Sequence, residues 1–325
     1  MDTTRMEQQP VIVISGPTAS GKSALAMSVA EHFSLEIISA DSRQVYRGLD
    51  IGTAKPTKEE QARVRHHLID IRNPDERYSA GQFARDAKEA IDDIHSRFRI
   101  PVVVGGTGLY ISALFDGIAH EEESDDLHDI RKTIEQRMQS EGRDALYEEL
   151  ASIDPLAAER YADKNPVRVI RALAYIAKHG IPFSTIFSEQ NTPHQFNAHY
   201  FAVNPDVEIL KQRINSRTEH MWADGLADET QRLLDAGYSP DVQSLNTVGY
   251  KEAIAFLRGD INRLRAIELT AQNTRRYAKR QRTWMRSRCT EYTFLTGTPH
   301  DNEQQLNTYC TELFSATLTS NTNGL

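Results

Sequence analysis

Hydrophobic positions along the chain change period several times. Val11–Ser15 is a short, β-branched run that ends in a Gly-rich turn, the pattern of a strand buried on both faces of a parallel sheet. From Ser23 to His32 the apolar residues Leu25, Ala26, Val29 and Ala30 recur at helical spacing. Leu35–Ser39 predicts a second strand, closed by the polar Ala40-Asp41-Ser42. Phe83, Ala84, Ala87, Ala90, Ile91 and Ile94 predict a helix over Ala80–Ile94, and Pro101–Val104 predicts a third buried strand before Gly105-Gly106. Strands alternating with helices predict an α/β fold in which helices cover both faces of a parallel sheet.

The pattern changes near Gly117. The following stretch is charged and poor in strand signals, with predicted helices at Leu127–Gln139, Ala145–Ala151, Pro155–Tyr161 and Pro166–Lys178 and stops near Gly142 and Gly180. Strand character returns at Tyr200–Val203, and the chain after Asp206 reads as mostly helical. These shifts predict four parts: a first core segment at 1–118, an all-helical insertion at 119–195, a second core segment at 196–300, and a polar, weakly ordered tail at 301–325.

Composition narrows the setting. The 325 residues are 39% hydrophobic and 26% charged, ordinary for a soluble globular protein with a core of its own. Cys289 and Cys310 are too few and too far apart for a disulfide framework or a zinc site, and their number suits a reducing cytosol. MDTTRMEQQP has no apolar stretch resembling a signal peptide, and no apolar run approaches the length of a membrane span, so a cytoplasmic protein without a membrane partner is expected. A net charge of −8 argues against nucleic acid as a partner, yet Thr274–Arg288 holds seven basic residues, no acidic one, and the aromatics Tyr277 and Trp284. Such a stretch either attracts a polyanion locally or is a solvated helix face.

Gly16-Pro17-Thr18-Ala19-Ser20-Gly21-Lys22-Ser23 carries the strongest chemistry. It matches G-x-x-x-x-G-K-[ST] after a predicted strand and before a predicted helix, the context in which backbone N–H groups and a helix N-terminus cradle phosphate. Lys22 would then neutralise the terminal phosphate, and the Ser23 hydroxyl would bind Mg²⁺. Asp41 falls at the carboxyl end of the second strand, where functional groups of open α/β sheets gather. It reads as a metal ligand through water, a general base, or simply a turn aspartate, with Arg43 and Gln44 beside it able to bond nucleobases or phosphates. Val104-Gly105-Gly106-Thr107-Gly108 reads either as close backbone approach to a ligand, with Thr107 aimed at it, or as a plain strand-to-helix turn. That strand lacks the terminal Asp of a nucleotide hydrolase. His66 and His67, without further ligand spacing around them, read as structural.

At these residues the chain resembles a known family. GPTASGKS, SADSRQVYRGLDIGTAKP, HHLID, YSAGQF, VGGTGLY, RVIRAL, GLADE, TVGYKE and YAKRQRTW stand in the order typical of tRNA dimethylallyltransferases (tRNA isopentenyltransferases), from about Val11 to Arg286. The resemblance implies a P-loop NTPase-like sheet with a helical insertion, and transfer of a dimethylallyl group from dimethylallyl diphosphate to the exocyclic amine of the adenosine just 3′ of the anticodon in tRNA. It places the donor diphosphate on Gly16, Thr18, Ala19, Ser20, Gly21, Lys22 and Ser23, with Mg²⁺ on Ser23. Asp41 matches the family's general base, Thr107 a residue near the reacting amine, and Arg217 an arginine that helps bind the departing diphosphate. Asp41, Ser42, Arg43, Gln44 and Thr107 resemble the segment that contacts the target base. Arg131 and Val167-Arg168-Val169-Ile170-Arg171 resemble further tRNA contacts. The chain departs from the family pattern at Ala174 and Val167, where acidic and polar residues respectively are common. It lacks a C-terminal Cys/His finger and so resembles the shorter, bacterial form, expected to act as a monomer.

Other readings of the P-loop stay open at this point: a small-molecule kinase, an RNA-binding nucleotide switch, or prenylation of free adenine nucleotides.

Overall fold

The computed structural model describes residues 9–117, 125–190, 196–288 and 291–322. Most of the N-terminal decapeptide, most of the acidic run at 121–126, Cys289 and the last three residues lie outside them.

Contacts divide the chain into two compact units, Met1–Phe115 with Gln195–Leu325, and Asp116–His194. In the first unit β1 (Pro10–Ser15), α1 (Lys22–His32), β2 (Leu35–Ser39), α2 (Lys58–Arg63), β3 (His66–His67), α3 (Ala80–Ser96), β4 (Ile100–Gly105) and α4 (Gly108–Phe115) follow in order. The second unit holds α5 (Asp125–Glu141), α6 (Arg143–Ile153), α7 (Pro155–Arg160), α8 (Pro166–His179) and a 3₁₀ turn at Phe183–Gln190. The first unit resumes with β5 (Asn197–Val203), α9 (Val207–Ala223), α10 (Leu226–Asp235), α11 (Tyr250–Leu257), α12 (Arg263–Arg286), β6 (Tyr292–Leu295) and α13 (Pro299–Thr322).

The described strands form one sheet in the order β3-β2-β4-β1-β5-β6, every pair parallel. β1 has a strand on each side, Ile12 pairing Val102 of β4 and His199 of β5, and Val11–Ile14 is buried, with Ile12 and Ile14 packed in one cluster with residues of α1 and α13. After β1 the chain crosses to β2, on the β4 side, and later adds β5 on the other side. The crevice this leaves at the carboxyl end of β1 is the place where open α/β sheets bind ligands.

The expected helices and the first three strands appear within a residue or two of their sequence bounds. Two short edge strands carry too few residues to show a period. His66 and His67 form β3 against Ile37 and Ile38, and His67 Nε2 lies 2.7 Å from the buried Glu36 carboxylate, a structural role. Tyr292–Leu295 pairs with Tyr200–Val203 as β6. The expected weakly ordered tail is corrected: it forms most of α13, whose Leu306 and Cys310 are fully buried in the main core. Phe314 stacks on Phe33 with ring centroids 5.4 Å apart, and Tyr309 packs on Phe201. Leu306, Tyr309, Cys310, Leu313 and Phe314 recur at i, i+3, i+4, i+7 and i+8, a helical stripe thinned by the Asn, Thr and Gln residues around it. Burial pushes the Cys310 thiol up to about 12, so it behaves as a small core hydrophobe.

The second unit has its own core, in which Leu127, Leu146, Leu150, Val169, Leu173 and Phe183 meet. Asp154, buried there, accepts from Ala157 N–H at 3.1 Å and Ser184 N–H at 2.6 Å, capping α7 and fixing the 3₁₀ turn. Gly180 ends α8 with φ +70°.

Candidate active site at the carboxyl ends of the strands

The loop from Gly16 to Gly21 leaves β1 and turns twice through left-handed backbone, at Ala19 (φ 63°) and Gly21 (φ 98°). For a residue with a Cβ this conformation costs about 1 kcal/mol or more, so the loop persists only because its surroundings hold it. Ser20 N–H donates to Pro17 O at 3.2 Å, and Arg213 of α9 donates to Ser20 O at 3.0 Å. Gln281 of α12 accepts from Thr18 N–H at 2.9 Å and donates to Gly106 O at 2.9 Å, tying the P-loop to the β4–α4 turn. Lys22 Nζ reaches back to Pro17 O at 3.4 Å.

The β2 turn is stapled as firmly. Asp41 Oδ1 accepts from Arg43 N–H at 2.8 Å and Gln44 N–H at 3.4 Å, while Oδ2 has no hydrogen-bond partner among the described residues. Asp41 is therefore a turn aspartate with one oxygen to spare. Ser42 N–H donates to Thr107 Oγ1 at 3.3 Å. Gln44 spends its carboxamide inside the protein, accepting from Ser39 Oγ and donating to the carbonyls of Thr53 and Ala54. Arg43 donates to Gln243 O at 2.8 Å. Downstream, the buried Glu229 of α10 accepts N–H groups from Asp50, Ile51 and Gly52 and the hydroxyl of Tyr250. Lys55, 3% exposed, pins the same loop through Asp50, Asp70 and Tyr46 O.

These turns enclose a cavity of about 570 Å³. Thr18, Lys22 and Ser23 line it from the P-loop, Asp41 to Gln44 from the β2 turn, and Arg217 from α9. Lys22, Arg43, Arg217, Lys251, Arg276 and Arg280 face Asp41 and Glu252 across it, an excess of positive charge suited to a polyanion. Burial pushes the Lys22 ammonium down to about 8, with Asp41 opposing the shift and Arg217 adding to it. Burial likewise lowers the Arg217 guanidinium, again against Asp41. Burial and the Asp41 charge raise the Tyr277 phenol, which also bonds Thr107. Lys22, Arg217, Asp41 and Tyr277 thus form one electrostatic group.

The glycines after β4 approach protein rather than open space. A Cβ on Gly105 would stand 2.1 Å from Ala40 O, one on Gly106 2.2 Å from Gln281 Nε2, and one on Gly108 2.3 Å from the Trp284 ring. Thr107 does not line the cavity; it sits behind the β2 turn as the partner of Ser42 and Tyr277. Gly16, Ala19, Ser20 and Gly21 shape the loop beneath the lining residues.

The remaining expected contacts lie in the second unit. Val167 and Arg168 are exposed at the start of α8, Arg171 stands over the Phe183 ring, and Arg131 is half-buried on α5. Val169 and Ile170 point into that unit's core, so their side chains serve packing rather than a surface partner. Sequence reasoning passed over Arg213, Gln281 and Glu229. The one available signal was spacing: Arg213 with Arg217, and Tyr277 with Gln281, each stand one helical turn apart. The basic stretch is accordingly more than a charged face, because its inner side braces the P-loop while Arg276 and Arg280 reach the cavity.

The IPP transferase family model matches residues 44–288. A tRNA dimethylallyltransferase of Geobacter sulfurreducens is 45% identical over 277 residues, which are 85% of this chain and 88% of that protein. A tRNA dimethylallyltransferase 2 of Geotalea uraniireducens is 46% identical over 279 residues, 84% of this chain and 88% of that one. Among solved structures, the tRNA isopentenylpyrophosphate transferase of Bacillus halodurans aligns over 97% of this chain and 99% of its own, with TM-score 0.69 and 36% identity. A eukaryotic dimethylallyltransferase acting on tRNA aligns over 89% and 74%, with TM-score 0.74 and 30% identity.

Proposed function

The chain belongs to the IPP transferase family, and from that premise we propose that it moves a dimethylallyl group from dimethylallyl diphosphate to the exocyclic amine of the adenosine 3′-adjacent to the anticodon in tRNA. The kinase reading finds no support in the relatives, whose names are those of prenyl-transferring enzymes. One observation carries the proposal: Lys22 and Arg217 share a single cavity with an Asp41 oxygen that has no hydrogen-bond partner among the described residues.

In this reading the C1–O bond of the donor breaks as the C1–N bond to adenine forms. Lys22, Arg217 and the P-loop amides hold the departing diphosphate, whose charge rises in the transition state. Asp41 takes the proton released from the amine, held in position by the Arg43 and Gln44 amides on its other oxygen. The exposed Ser23 hydroxyl, in the first turn of α1, is the group that would hold Mg²⁺. No group of three His, Cys, Asp or Glu among the described residues offers an all-protein cage for it. When bound, Mg²⁺ neutralises charge on the leaving diphosphate. An adenosine stacked in a loop must flip out to reach Asp41. Arg276 and Arg280 at the cavity, and Arg131, Val167, Arg168 and Arg171 in the second unit, are the proposed tRNA contacts, acting chiefly on the backbone. No helix of the described residues is long and apolar enough to cross a membrane. Acting on tRNA, the enzyme would work in the cytoplasm, as a monomer.

Incubation with labelled dimethylallyl diphosphate and unmodified tRNA, followed by nucleoside analysis, tests the reading. Label in an N6-alkylated adenosine next to the anticodon supports it; label that stays out of tRNA overturns it.

A further inference from the structure

A base drawn out of its stack loses the rings above and below it, and a pocket that holds it must offer a flat face in return. Among the described residues that line the cavity, Tyr277 brings the only aromatic ring. It stands on α12 with Arg276 and Arg280, which line the same cavity.

The ring is held in place. Its hydroxyl bonds Thr107, whose Oγ1 accepts the Ser42 N–H at 3.3 Å. Thr107 N–H in turn donates to Ala40 O at 3.4 Å. Gln281, one helical turn beyond Tyr277, donates to the neighbouring Gly106 O at 2.9 Å. The same clamp therefore fixes the ring and the turn that carries Asp41, whose charge acts on the phenol. A purine laid on this ring lies beside the carboxylate that its amine must reach.

One face of the ring has only a loose cover. The Arg280 guanidinium stands over it at 5.7 Å from the centroid, and Arg280 is exposed. A base stacked on an aromatic ring outweighs an exposed cation–π contact, so an arriving purine wins that face.

We propose that Tyr277 is the platform on which the extruded purine of the acceptor stacks, with Arg280 yielding the ring face and turning to a neighbouring backbone phosphate. This rests on the reading that the cavity receives an adenosine of tRNA. Tyr277 binds and orients the acceptor, and Asp41 remains the group that takes the proton. A ring that only packed α12 against the β4–α4 turn would affect folding and leave the acceptor untouched.

The test uses the full chain, labelled dimethylallyl diphosphate with Mg²⁺, and an unmodified anticodon stem-loop, with folding of each variant checked by circular dichroism. Tyr277→Leu should raise KM for the stem-loop by about tenfold or more, the scale of one lost base–aromatic stack, and move KM for the donor by less than about threefold. Tyr277→Phe keeps the ring and drops the bond to Thr107. Its KM for the stem-loop should stay within about threefold of the unaltered value, while kcat falls by about threefold to tenfold. A stem-loop with 2-aminopurine at the target position gives a second readout. Its fluorescence should stay quenched on the unaltered and Tyr277→Phe proteins and rise by about threefold or more on Tyr277→Leu, where no ring meets the base. Tyr277→Met, unbranched and closer in length to tyrosine, should behave as Tyr277→Leu does and covers a leucine variant that fails to fold. Equal stem-loop KM and equal fluorescence in the ring-bearing and ringless variants overturn the proposal. If the unaltered enzyme puts no label into the stem-loop or into tRNA, the proposed function falls and this inference with it. If label enters but the ringless variants match Tyr277→Phe, only the role of Tyr277 falls.

Discussion

The Glu229 carboxylate accepts the Tyr250 hydroxyl at 2.6 Å, and the same two oxygens take the N–H groups of Asp50, Ile51 and Gly52 at 2.8 to 3.2 Å. Gly52 must be glycine because a Cβ would lie 2.5 Å from the Tyr250 ring. One buried acid thereby orders a loop whose Thr53 and Ala54 carbonyls hold Gln44 and whose Thr53 carbonyl holds Arg217.

Glu229→Gln leaves the geometry but replaces one acceptor oxygen with a donor that faces other donors. It should destabilise the fold by roughly 2–4 kcal/mol and lower turnover, whereas Tyr250→Phe should cost only about 1 kcal/mol. Denaturant unfolding measures both. Equal effects of the two changes would show that the loop does not depend on the carboxylate.

Asp41→Asn separates base from staple. Asn keeps an oxygen for the Arg43 and Gln44 amides but cannot take a proton at neutral pH. Turnover should fall by about 100-fold or more with a melting temperature near that of the unaltered protein. Single-turnover rates on unmodified tRNA give the number, and a loss under about threefold would remove Asp41 from proton transfer.

The Lys22 ammonium, pushed down to about 8 by burial, makes donor capture sensitive to alkali. In the proposed reading the charged form holds the diphosphate, so kcat/KM for the donor should hold below pH 8 and fall above it, by about tenfold per pH unit. Bound diphosphate raises the Lys22 pKa, so the limb in kcat should lie at higher pH than the limb in kcat/KM. Lys22→Arg stays charged throughout and should lose the limb, whatever its residual rate. A limb that persists in that variant belongs to another group.

Leu306→Ala tests whether the C-terminal helix is part of the core. Removing a fully buried leucine beside Cys310 should cost roughly 2–5 kcal/mol, read as a lower denaturation midpoint. A change below about 0.5 kcal/mol would mean that α13 contributes nothing to the core.

Regular elements were legible where one period ran long enough. The helix at Ala80 is announced by the Ser79–Gln82 capping box and six apolar positions, and β1 by an unbroken buried run. Two residues at His66 or four at Tyr292 cannot display a period, and the stripe of α13 was masked by polar neighbours. For the candidate site, residue spacing pointed to the Gly16–Ser23 loop, the end of the second strand to Asp41, and the family resemblance to Arg217.

Local sequence determined what local physics decides: the glycine-rich turn after β1, the strands buried on both faces, the helix caps, and the chemistry available at each position. Only the tertiary structure decided which distant groups meet. Thr18 and Gln281 are 263 positions apart, and Ile51 and Glu229 are 178 apart, yet each pair shares a hydrogen bond. No periodicity encodes such a bond, because it depends on where the sheet order and helix packing bring two surfaces together, and on which buried polar groups then have no other partner.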